Sequence, residues 1–285
     1  MKVLVFGRSG QLGSALEKIA PTGYKTVFLT RSDTDFSDLS GLRAAVLSHK
    51  PAVVVNAAAY TAVDRAESEK SIAFKVNGEA PGVIATACSQ IGAVLVHFST
   101  DYVFDGVASS PYVEGALTNP LGIYGQSKLA GEEAIAAVTG RYVILRTAGV
   151  YSLVGQNFLK TMLRLANNAD EIRVVSDQIV SPTYAGDLAQ ATWSIIDSLL
   201  ENNTSKFGIY HAANSGVISW RRFASKIFDL VGLTDVVVHP ISTDEYPTLA
   251  PRPRFTALSC VRINEVFGIT MPNWQDAVSR CLKEL

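Results

Sequence analysis

Tyr124 and Lys128 are two side chains in this sequence whose types and spacing could move a proton. Residues four apart lie on one face of a helix, so the phenol and the ammonium can point into the same site. A neighbouring cation favours the phenolate of a tyrosine, whose ordinary pKa is near ~10. The pair therefore indicates a tyrosine that gives or takes a proton. Such pairs also arise by chance, so the surrounding residues must support this interpretation.

A hydroxyl and a carboxyl follow the apolar segment Val94 to Phe98, which is typical of a buried strand. Ligands of open α/β sheets bind at the carboxyl ends of the strands, and Thr100 and Asp101 fall at such an end. Thr100 can donate a hydrogen bond to a carbonyl oxygen, and Asp101 can fix a sugar hydroxyl or a proton path. The alternative is an Asx-type turn that closes the strand.

A glycine-rich segment, Gly7-Arg8-Ser9-Gly10-Gln11-Leu12-Gly13, follows the first apolar run and opens a helical pattern. Glycines at a strand-to-helix turn let a pyrophosphate approach backbone N–H groups, and the helix N-terminus favours its negative charge. The spacing is GxxGxxG rather than GxGxxG. Its position within a strand–helix–strand pattern predicts a bound dinucleotide.

The end of the second apolar segment, Val27 to Leu29, bears on which dinucleotide fits. An acidic residue there would bind the ribose hydroxyls of NADH, whereas Arg31 and Arg8 could pair with the 2′-phosphate of NADPH. The sequence therefore favours NADPH, with NADH as the second choice. The alternative is that both arginines are solvated and that Asp33 or Asp35 supplies the acid.

Short, fully apolar segments alternate with helical ones over the first half of the chain. Strands without polar alternation are typical of a parallel sheet that is covered on both faces. The pattern predicts an α/β fold, namely a Rossmann-type doubly wound parallel sheet.

The alternation of short apolar segments with helical ones changes after about residue 150, and a polar break follows at 201–205. A proline-rich stretch near the end of the chain is typical of a loop: Pro240, Pro247, Pro251 and Pro253. We expect two domains. Residues 1–150 and about 183–207 form the dinucleotide-binding domain, and about 151–182 and 208–285 form a smaller α/β substrate-binding domain.

Composition and charge exclude several classes of partner. The 285 residues carry 25 basic and 26 acidic side chains, and this balance offers no electrostatic footprint for nucleic acid or a membrane surface. No apolar run approaches the ~20 residues of a membrane span, and the first stops at Gly7, too early for a signal peptide. The cysteines and histidines show no metal-ligand spacing. We expect a cytoplasmic protein without metal, nucleic-acid or membrane partners, and a homodimer as its assembly.

Several segments together resemble the extended short-chain dehydrogenase/reductases and, within them, the dTDP-4-dehydrorhamnose reductases. The matching segments are Asn56–Asp64, Ser99–Gly106, Tyr124–Glu132, Asn157–Leu163, Ser176–Thr183, Ile209–His211, Ser219–Trp220 and Arg252–Pro253. The glycine-rich segment and the Tyr/Lys pair are superfamily-wide features. The Asp-Gln…Ser-Pro-Thr and Arg-Pro elements are more specific to this reductase group. The resemblance spans nearly the whole chain.

The resemblance implies hydride transfer from NADPH or NADH to C4 of dTDP-4-dehydro-6-deoxy-L-mannose, which yields dTDP-L-rhamnose. Thr100 would polarise the carbonyl, Tyr124 would donate the proton, and Lys128 would hold the nicotinamide ribose. Asp101 joins this catalytic set. The predicted cofactor site comprises Gly7, Arg8, Gly10, Gln11, Leu12, Gly13, Arg31, Asp35, Phe36, Ala57, Ala58, Tyr60, Ser99, Tyr124 and Lys128. The predicted substrate site comprises Thr61, Val63, Thr100, Asp101, Tyr102, Gly149, Asn157, Trp220 and Arg252, the last as a bidentate partner of the nucleotide diphosphate.

Two positions depart from the pattern of these reductases. Gly149 stands where the family usually has a tryptophan, and Val180 where it usually has a glycine. One change takes volume out of the sugar pocket and the other adds it, so one alternative is another 4-keto-6-deoxy nucleotide sugar. A further alternative is a non-catalytic regulatory subunit that binds NADP(H) and a partner enzyme. Intact Thr100, Tyr124 and Lys128 argue against it, and no second acid/base for an epimerase stands out.

Overall fold

A computed structural model describes residues 1–201 and 206–285, so most of the predicted polar break at 201–205 lies outside the described residues. The strands are β1 Lys2–Phe6, β2 Lys25–Leu29, β3 Val53–Asn56, β4 Val94–Thr100, β5 Tyr142–Thr147, β6 Val150–Tyr151, β7 Glu171–Val175, β8 Ile179–Val180, β9 Thr183–Tyr184, β10 Gly208–His211, β11 Ile218–Ser219 and β12 Val237–Ile241. The helices are α1 Gln11–Lys18, α2 Leu39–His49, α3 Val63–Ala66, α4 Lys70–Phe74, α5 Ala80–Ile91, α6 Ile123–Val138, α7 Phe158–Ala166, α8 Ala185–Leu200, α9 Trp220–Val231, α10 Val261–Phe267 and α11 Trp274–Leu282.

The largest sheet has six parallel strands in the order β10-β5-β4-β3-β1-β2. The chain starts at β1, moves to β2 on one side and then returns to β3 on the other, so the order reverses between β1 and β3. Ligands of such sheets bind outside the carboxyl ends of the strands at this reversal. The predicted doubly wound parallel sheet is confirmed.

Helices cover both faces of this sheet because each buried strand is apolar on both sides. Val3 and Val5 join a core with α1 and α8, whereas Leu4 between them joins a core with α2 and α5. Trp193 of α8 belongs to the first core, and its indole N–H donates to the carbonyl of Leu16, 3.2 Å away. The described helices include none that is both long and apolar enough to cross a membrane.

A second group of elements follows the sheet in sequence and has its own core, built mainly from α7, α9, α11 and β7. The strand β12 pairs in parallel with β7 and contains Pro240, which the sequence analysis placed in a loop. Proline, which has no N–H to donate, is tolerated here because β12 lies at the edge of a two-stranded sheet. Val238 and Ile241 are buried and hold the strand in place.

The strand β10 belongs to the large sheet, where it lies beside β5. Residues from about 208 onward were predicted to belong to the smaller domain, whereas the strand at 208–211 pairs with the large sheet. Helix α10 also packs on the large sheet, through Ile263 and Phe267. Short elements of this kind carry no local signal of the sheet they will join, since the pairing is made with residues far away in the chain.

Candidate active site

A cavity of about 870 Å³ opens at the carboxyl ends of β1, β3, β4 and β5. It collects residues from the glycine-rich segment, from the ends of these strands and from the second group of elements. The predicted site residues that line it are Gly7, Gly10, Gln11, Leu12, Arg31, Asp35, Phe36, Ala57, Ala58, Tyr60, Thr61, Val63, Ser99, Thr100, Asp101, Tyr102, Tyr124, Lys128, Gly149, Asn157 and Trp220. Arg8, Gly13 and Arg252 were also predicted, but they are not among the residues that line this cavity.

The turn between β1 and α1 lies so close to the end of β3 that it requires glycine. Gly7 has a φ of +87°, and a Cβ there would lie 2.7 Å from the backbone nitrogen of Ala58. A Cβ on Gly13 would lie 2.0 Å from the carbonyl oxygen of Gly7, so Gly13 serves the packing of the helix on the turn. No side chain caps α1. Its first N–H groups are therefore suited to a phosphate, and the turn fits a dinucleotide.

Of the two predicted arginines, Arg31 follows β2 and Arg8 follows β1. Arg31 lines the cavity, whereas the Arg8 guanidinium is 2.8 Å from the Glu17 carboxylate. Asp33 accepts hydrogen bonds from the backbone N–H and the hydroxyl of Thr30, at 2.8 and 2.6 Å, which lowers its pKa. Asp35 lines the cavity and accepts from the N–H of Ser37 at 2.9 Å. A cation and a carboxylate are thus both present at the end of β2.

The end of β4 holds a hydroxyl and a buried carboxyl in contact. Thr100 donates to Asp101 Oδ1 at 3.0 Å and accepts from the N–H of Tyr102 at 3.2 Å. The Thr100 hydroxyl therefore caps the turn that follows β4. Burial raises the pKa of Asp101 to about 6, and the hydroxyls of Thr256 and Thr100 oppose that rise.

Tyr124 lies in the first turn of α6, and its ring packs edge-on against Tyr102, with 5.8 Å between the ring centres. Burial raises the pKa of the Tyr124 hydroxyl well above its ordinary value, and the Thr100 hydroxyl opposes that rise. A neighbouring ammonium would lower the pKa of this hydroxyl, so the shift is opposite to the one expected from the Tyr/Lys pair. The phenol is therefore held in its protonated form, which is the form that donates a proton.

Lys128 is one helical turn beyond Tyr124 and is almost fully buried. Its Nζ donates to the carbonyl oxygen of Phe98 and lies 3.4 Å from Nε2 of His97. Burial lowers the pKa of Lys128 to about 8, against a smaller opposite effect of Glu132. Burial thus shifts both members of the Tyr/Lys pair toward their uncharged forms.

The loop after β3 is held by Asn77, which lies in a π-helical turn between α4 and α5. Its side chain accepts from the N–H of Tyr60 at 2.8 Å and donates to the Tyr60 carbonyl and to the hydroxyl of Ser127. The Tyr60 hydroxyl donates to Glu69 at 2.6 Å. These bonds fasten the loop to α6, so Tyr60 and Lys128 face the same cavity.

Gly149 has a φ of +51°, and Trp220 and Val180 lie against its open side. A Cβ on Gly149 would be 3.1 Å from Cη2 of Trp220 and 3.3 Å from Cγ2 of Val180. The Trp220 ring also packs on Phe158, with 4.5 Å between the ring centres. The wall at this end of the cavity is therefore built by Trp220 and Val180.

Asn157 and Arg252 bond mainly within the protein. The Asn157 amide donates to Gln11 Oε1 at 2.8 Å, and its carbonyl oxygen caps α7. Arg252 donates to Asp64 at 2.9 Å, which ties the proline-rich stretch to α3 beside Tyr102. Asn157 therefore connects α1 to α7 at the rim of the cavity. Arg252 is not among the residues that line the cavity, and it lies beside Tyr102, which does line it.

The cavity also contains residues that the sequence analysis did not select, among them Thr147, Gln178 and Thr256. Thr147 ends β5 as Thr100 ends β4, so the same rule about strand ends could have found it. Gln178 and Thr256 come from distant loops and carry no local signal. The hydroxyls of Ser99 and Thr147 are buried and lack a partner within the described parts of the chain, which suits a polar ligand.

A family model described as "RmlD substrate binding domain" matches residues 1–285. The dTDP-4-dehydrorhamnose reductase of Sinorhizobium fredii is 41% identical over 284 residues, which cover 98% of this chain and 96% of the relative. This chain belongs to the dTDP-4-dehydrorhamnose reductase family. The dTDP-4-dehydrorhamnose reductase of Escherichia coli K12 is 39% identical, with 100% of this chain and 98% of the relative covered.

Solved structures of dTDP-4-dehydrorhamnose reductases share the whole fold. The structure from Clostridium acetobutylicum has a TM-score of 0.94 and 36% identity and covers 100% of this chain and 99% of its own. The structure from Bacillus anthracis, which is in complex with NADP, has a TM-score of 0.92, 36% identity and the same coverage. Because these matches cover the whole chain, they include the residues at both ends of the cavity.

Proposed function

We propose that this chain reduces the C4 keto group of dTDP-4-dehydro-6-deoxy-L-mannose to give dTDP-L-rhamnose, with NADPH as hydride donor and NADH as an alternative. The observation that carries this proposal is the meeting of Thr100, Tyr124 and Lys128 in one cavity with the glycine-rich turn. Full-length similarity to curated reductases supports it.

Tyr124 is the proton donor in this proposal. A bound nicotinamide supplies the hydride for C4 of the sugar. The Tyr124 phenol keeps its proton at neutral pH because burial raises its pKa, and it can give that proton to the alkoxide oxygen that forms at C4. The Thr100 hydroxyl bonds Asp101, so it must turn from the carboxylate to polarise the substrate carbonyl.

The cofactor site is proposed to run from the glycine-rich turn to Lys128. Backbone N–H groups at the start of α1 would hold the pyrophosphate, and Lys128, which is buried beside Tyr124, would hold the nicotinamide ribose. Arg31 lines the cavity at the end of β2 and would pair with a 2′-phosphate. The NADP in the structure from Bacillus anthracis supports NADPH as the first choice.

Turnover and its dependence on Tyr124 test the proposal. Purified protein is mixed with NADPH and dTDP-4-dehydro-6-deoxy-L-mannose, and nicotinamide absorbance is followed over time. Tyr124→Phe should lower kcat by about 10²–10⁴-fold with NADPH affinity retained, because it removes only the hydroxyl. Tyr246→Phe is the matched control, since Tyr246 is 53% exposed and outside the cavity.

The alternatives give different results in the same experiment. Tight NADPH binding without oxidation of NADPH in the wild type would favour the non-catalytic regulatory subunit. Oxidation with a different 4-keto-6-deoxy nucleotide sugar, at a higher kcat/KM, would favour the second reductase. The contact of Gly149 with Trp220 and Val180 is the observation that keeps this second candidate open.

The remaining predictions concern organisation and partners. We propose that the smaller domain binds the sugar nucleotide, with β10 and α10 reassigned to the dinucleotide-binding domain. The homodimer, the cytoplasmic location and the independence from nucleic acid stay predictions. So does the independence from a metal, and loss of turnover in a chelator would contradict it.

A further inference from the structure

Glu67 lies directly after α3, and its carboxylate reaches the start of α6. Oε1 of Glu67 accepts the backbone N–H of Ile123, the first residue of that helix, at 2.8 Å. Gly122 precedes α6 in the chain and offers no side chain to cap it. A carboxylate from another element therefore satisfies one of the N–H groups that a helix leaves unpaired at its start, as a neighbouring Ser or Asp does in many helices.

The approach of Glu67 to this helix is close. A Cβ on Gly122 would lie 2.8 Å from Oε1 of Glu67 and 3.4 Å from Cδ of Pro251, so the missing side chain makes room for the carboxylate. A negative charge at a helix N-terminus is favourable, because the helix dipole places partial positive charge there. Space and charge thus both suit a carboxylate at this position.

The helical turn that Glu67 holds carries Tyr124, the second residue of α6. This turn also packs on the segment that follows β4, since a Cβ on Gly125 would overlap the carbonyl oxygen of Tyr102. The Thr100 hydroxyl is close enough to the Tyr124 hydroxyl to affect its pKa. The position of one helical turn therefore decides how these two hydroxyls meet.

The short helix α3 is itself anchored, so Glu67 has a fixed base. Asp64 of α3 accepts the backbone N–H of Ala250 at 3.2 Å and binds Nη2 of Arg252 at 2.9 Å. Val63 of the same helix lines the cavity. Because α3 is tied to the proline-rich stretch in this way, the hydrogen bond of Glu67 restrains the start of α6.

We propose that Glu67 is a positioning residue, which holds the first turn of α6 against the end of β4 and thereby places the Tyr124 hydroxyl. Glu67 is not among the residues that line the cavity, so it acts through the helix and not on a ligand. Lys128, one turn further along α6, has a separate hydrogen bond to the Phe98 carbonyl of β4. The effect of Glu67 is therefore concentrated on Tyr124.

The consequence for catalysis rests on the proposed function. A proton donor must lie within hydrogen-bond reach of the oxygen that it protonates. A displacement of about 1 Å can lower the rate by roughly 100-fold. The glycine-rich turn, which is proposed to hold the pyrophosphate of the cofactor, lies between β1 and α1 and not on α6. Loss of the acceptor on Glu67 should therefore lower kcat and leave the affinity for NADPH unchanged.

Three substitutions separate the acceptor oxygen of Glu67 from its charge. Glu67→Gln keeps an oxygen at the same reach, Glu67→Asp keeps the charge but is one methylene shorter, and Glu67→Ala loses both. Kinetics are measured with NADPH and dTDP-4-dehydro-6-deoxy-L-mannose. We expect Glu67→Gln to stay within about threefold of the wild-type kcat and the other two to fall by about 10- to 100-fold. The Kd for NADPH should stay unchanged in all three.

The position of Tyr124 can also be measured without turnover. The full chain is labelled with 13Cε-tyrosine, and Tyr124→Phe assigns the NMR signal, which is sensitive to the edge-on ring of Tyr102. Glu67→Ala and Glu67→Asp should shift this signal, whereas Glu67→Gln should leave it in place. Asp38→Ala is the matched control, because Asp38 accepts the N–H of Gly41 at the start of α2, outside the cavity. It should change neither the signal nor kcat.

The outcomes separate this proposal from the proposed function. An unchanged Tyr124 signal in Glu67→Ala, or an equal shift in Glu67→Gln, would overturn the role of Glu67 whether or not the enzyme turns over. In an active enzyme, an unchanged kcat in Glu67→Ala, or a loss of NADPH affinity as large as the loss of kcat, would overturn it too. A shifted signal in a protein that never oxidises NADPH would support the contact and contradict the reductase activity alone. If Glu67→Ala does not fold, the comparison of Glu67→Asp with Glu67→Gln still decides.

Discussion

Helix α6 carries two buried charges one turn apart, Lys128 and Glu132, and their surroundings differ. Glu132 is 3% exposed and binds Arg146 of β5, with contacts of 2.6 and 3.0 Å. Lys128 is 2% exposed and has a carbonyl oxygen and an imidazole as partners. Arg146 is also stacked over the Phe104 ring at 5.2 Å, so its position is held from two sides.

The difference separates a structural charge from a functional one. A buried ion that is paired and hydrogen-bonded keeps its charge and connects a helix to a strand. A buried ion without a counter-ion is pushed toward its neutral form, and such groups cluster where a ligand binds. Lys128 lines the cavity, whereas Glu132 and Arg146 do not. The first three variants below test this contrast and the fourth tests the cavity wall, in descending order of expected effect.

The largest effect is expected from Arg146→Met, which leaves Glu132 buried without its cation. The free energy of unfolding should fall by about 3–5 kcal/mol, as for other broken buried pairs. Urea denaturation measures it. The double variant Arg146→Met/Glu132→Leu should recover most of the lost stability. If Arg146→Met alone were as stable as wild type, the distinction between a structural and a functional charge would not hold.

Lys128→Met should act on catalysis rather than on stability. It removes a charge that burial disfavours, so the free energy of unfolding should not fall. We expect kcat/KM for NADPH oxidation to drop by about 100-fold or more, since the groups that hold the reactants are displaced. Steady-state kinetics and urea denaturation of the same preparation separate the two. If the free energy of unfolding also fell, Lys128 would be a structural charge, as Glu132 is.

Asp101→Asn should stabilise the protein above the folded-state pKa of Asp101. That pKa is about 6 against an ordinary 3.8, so the native state binds more protons in this window and stability falls as pH rises through it. The asparagine avoids that cost, which is about 3 kcal/mol at pH 7. Denaturation at several pH values should show the gain above pH 6 and none below about pH 4. A pH-independent gain would contradict this cause.

The smallest effect is expected from Gly149→Ala. The φ of +51° and the approach to Trp220 both disfavour a side chain, so the free energy of unfolding should fall by about 1 kcal/mol. The KM for the sugar nucleotide should rise while NADPH affinity stays unchanged. Gly115→Ala is the control, because no atom lies within 4 Å of a Cβ there. A change in NADPH affinity would contradict this prediction, because it would place Gly149 at the cofactor end of the cavity and not at the sugar end.

Much of the fold and of the candidate site could be predicted from the sequence. The unbroken apolar runs of β1, β3 and β4 predicted a parallel sheet, and the glycine-rich turn and Thr100 follow from positions at strand ends. Contacts outside the local sequence pattern could not be predicted in this way. Arg8 pairs with Glu17 and Arg252 with Asp64, and β12 runs through Pro240.

The sequence by itself determined which segments are buried strands and which residues end them, because apolar periodicity and turn chemistry act over a few neighbours. Only the tertiary structure decided how the buried polar groups are paired. Asn56, His97 and Lys128 lie on three elements, and their order in the chain does not indicate that the ring of His97 lies between Asn56 and Lys128. Hydrogen bonds and burial across the sheet determine protonation, and they exist only once the chain is folded.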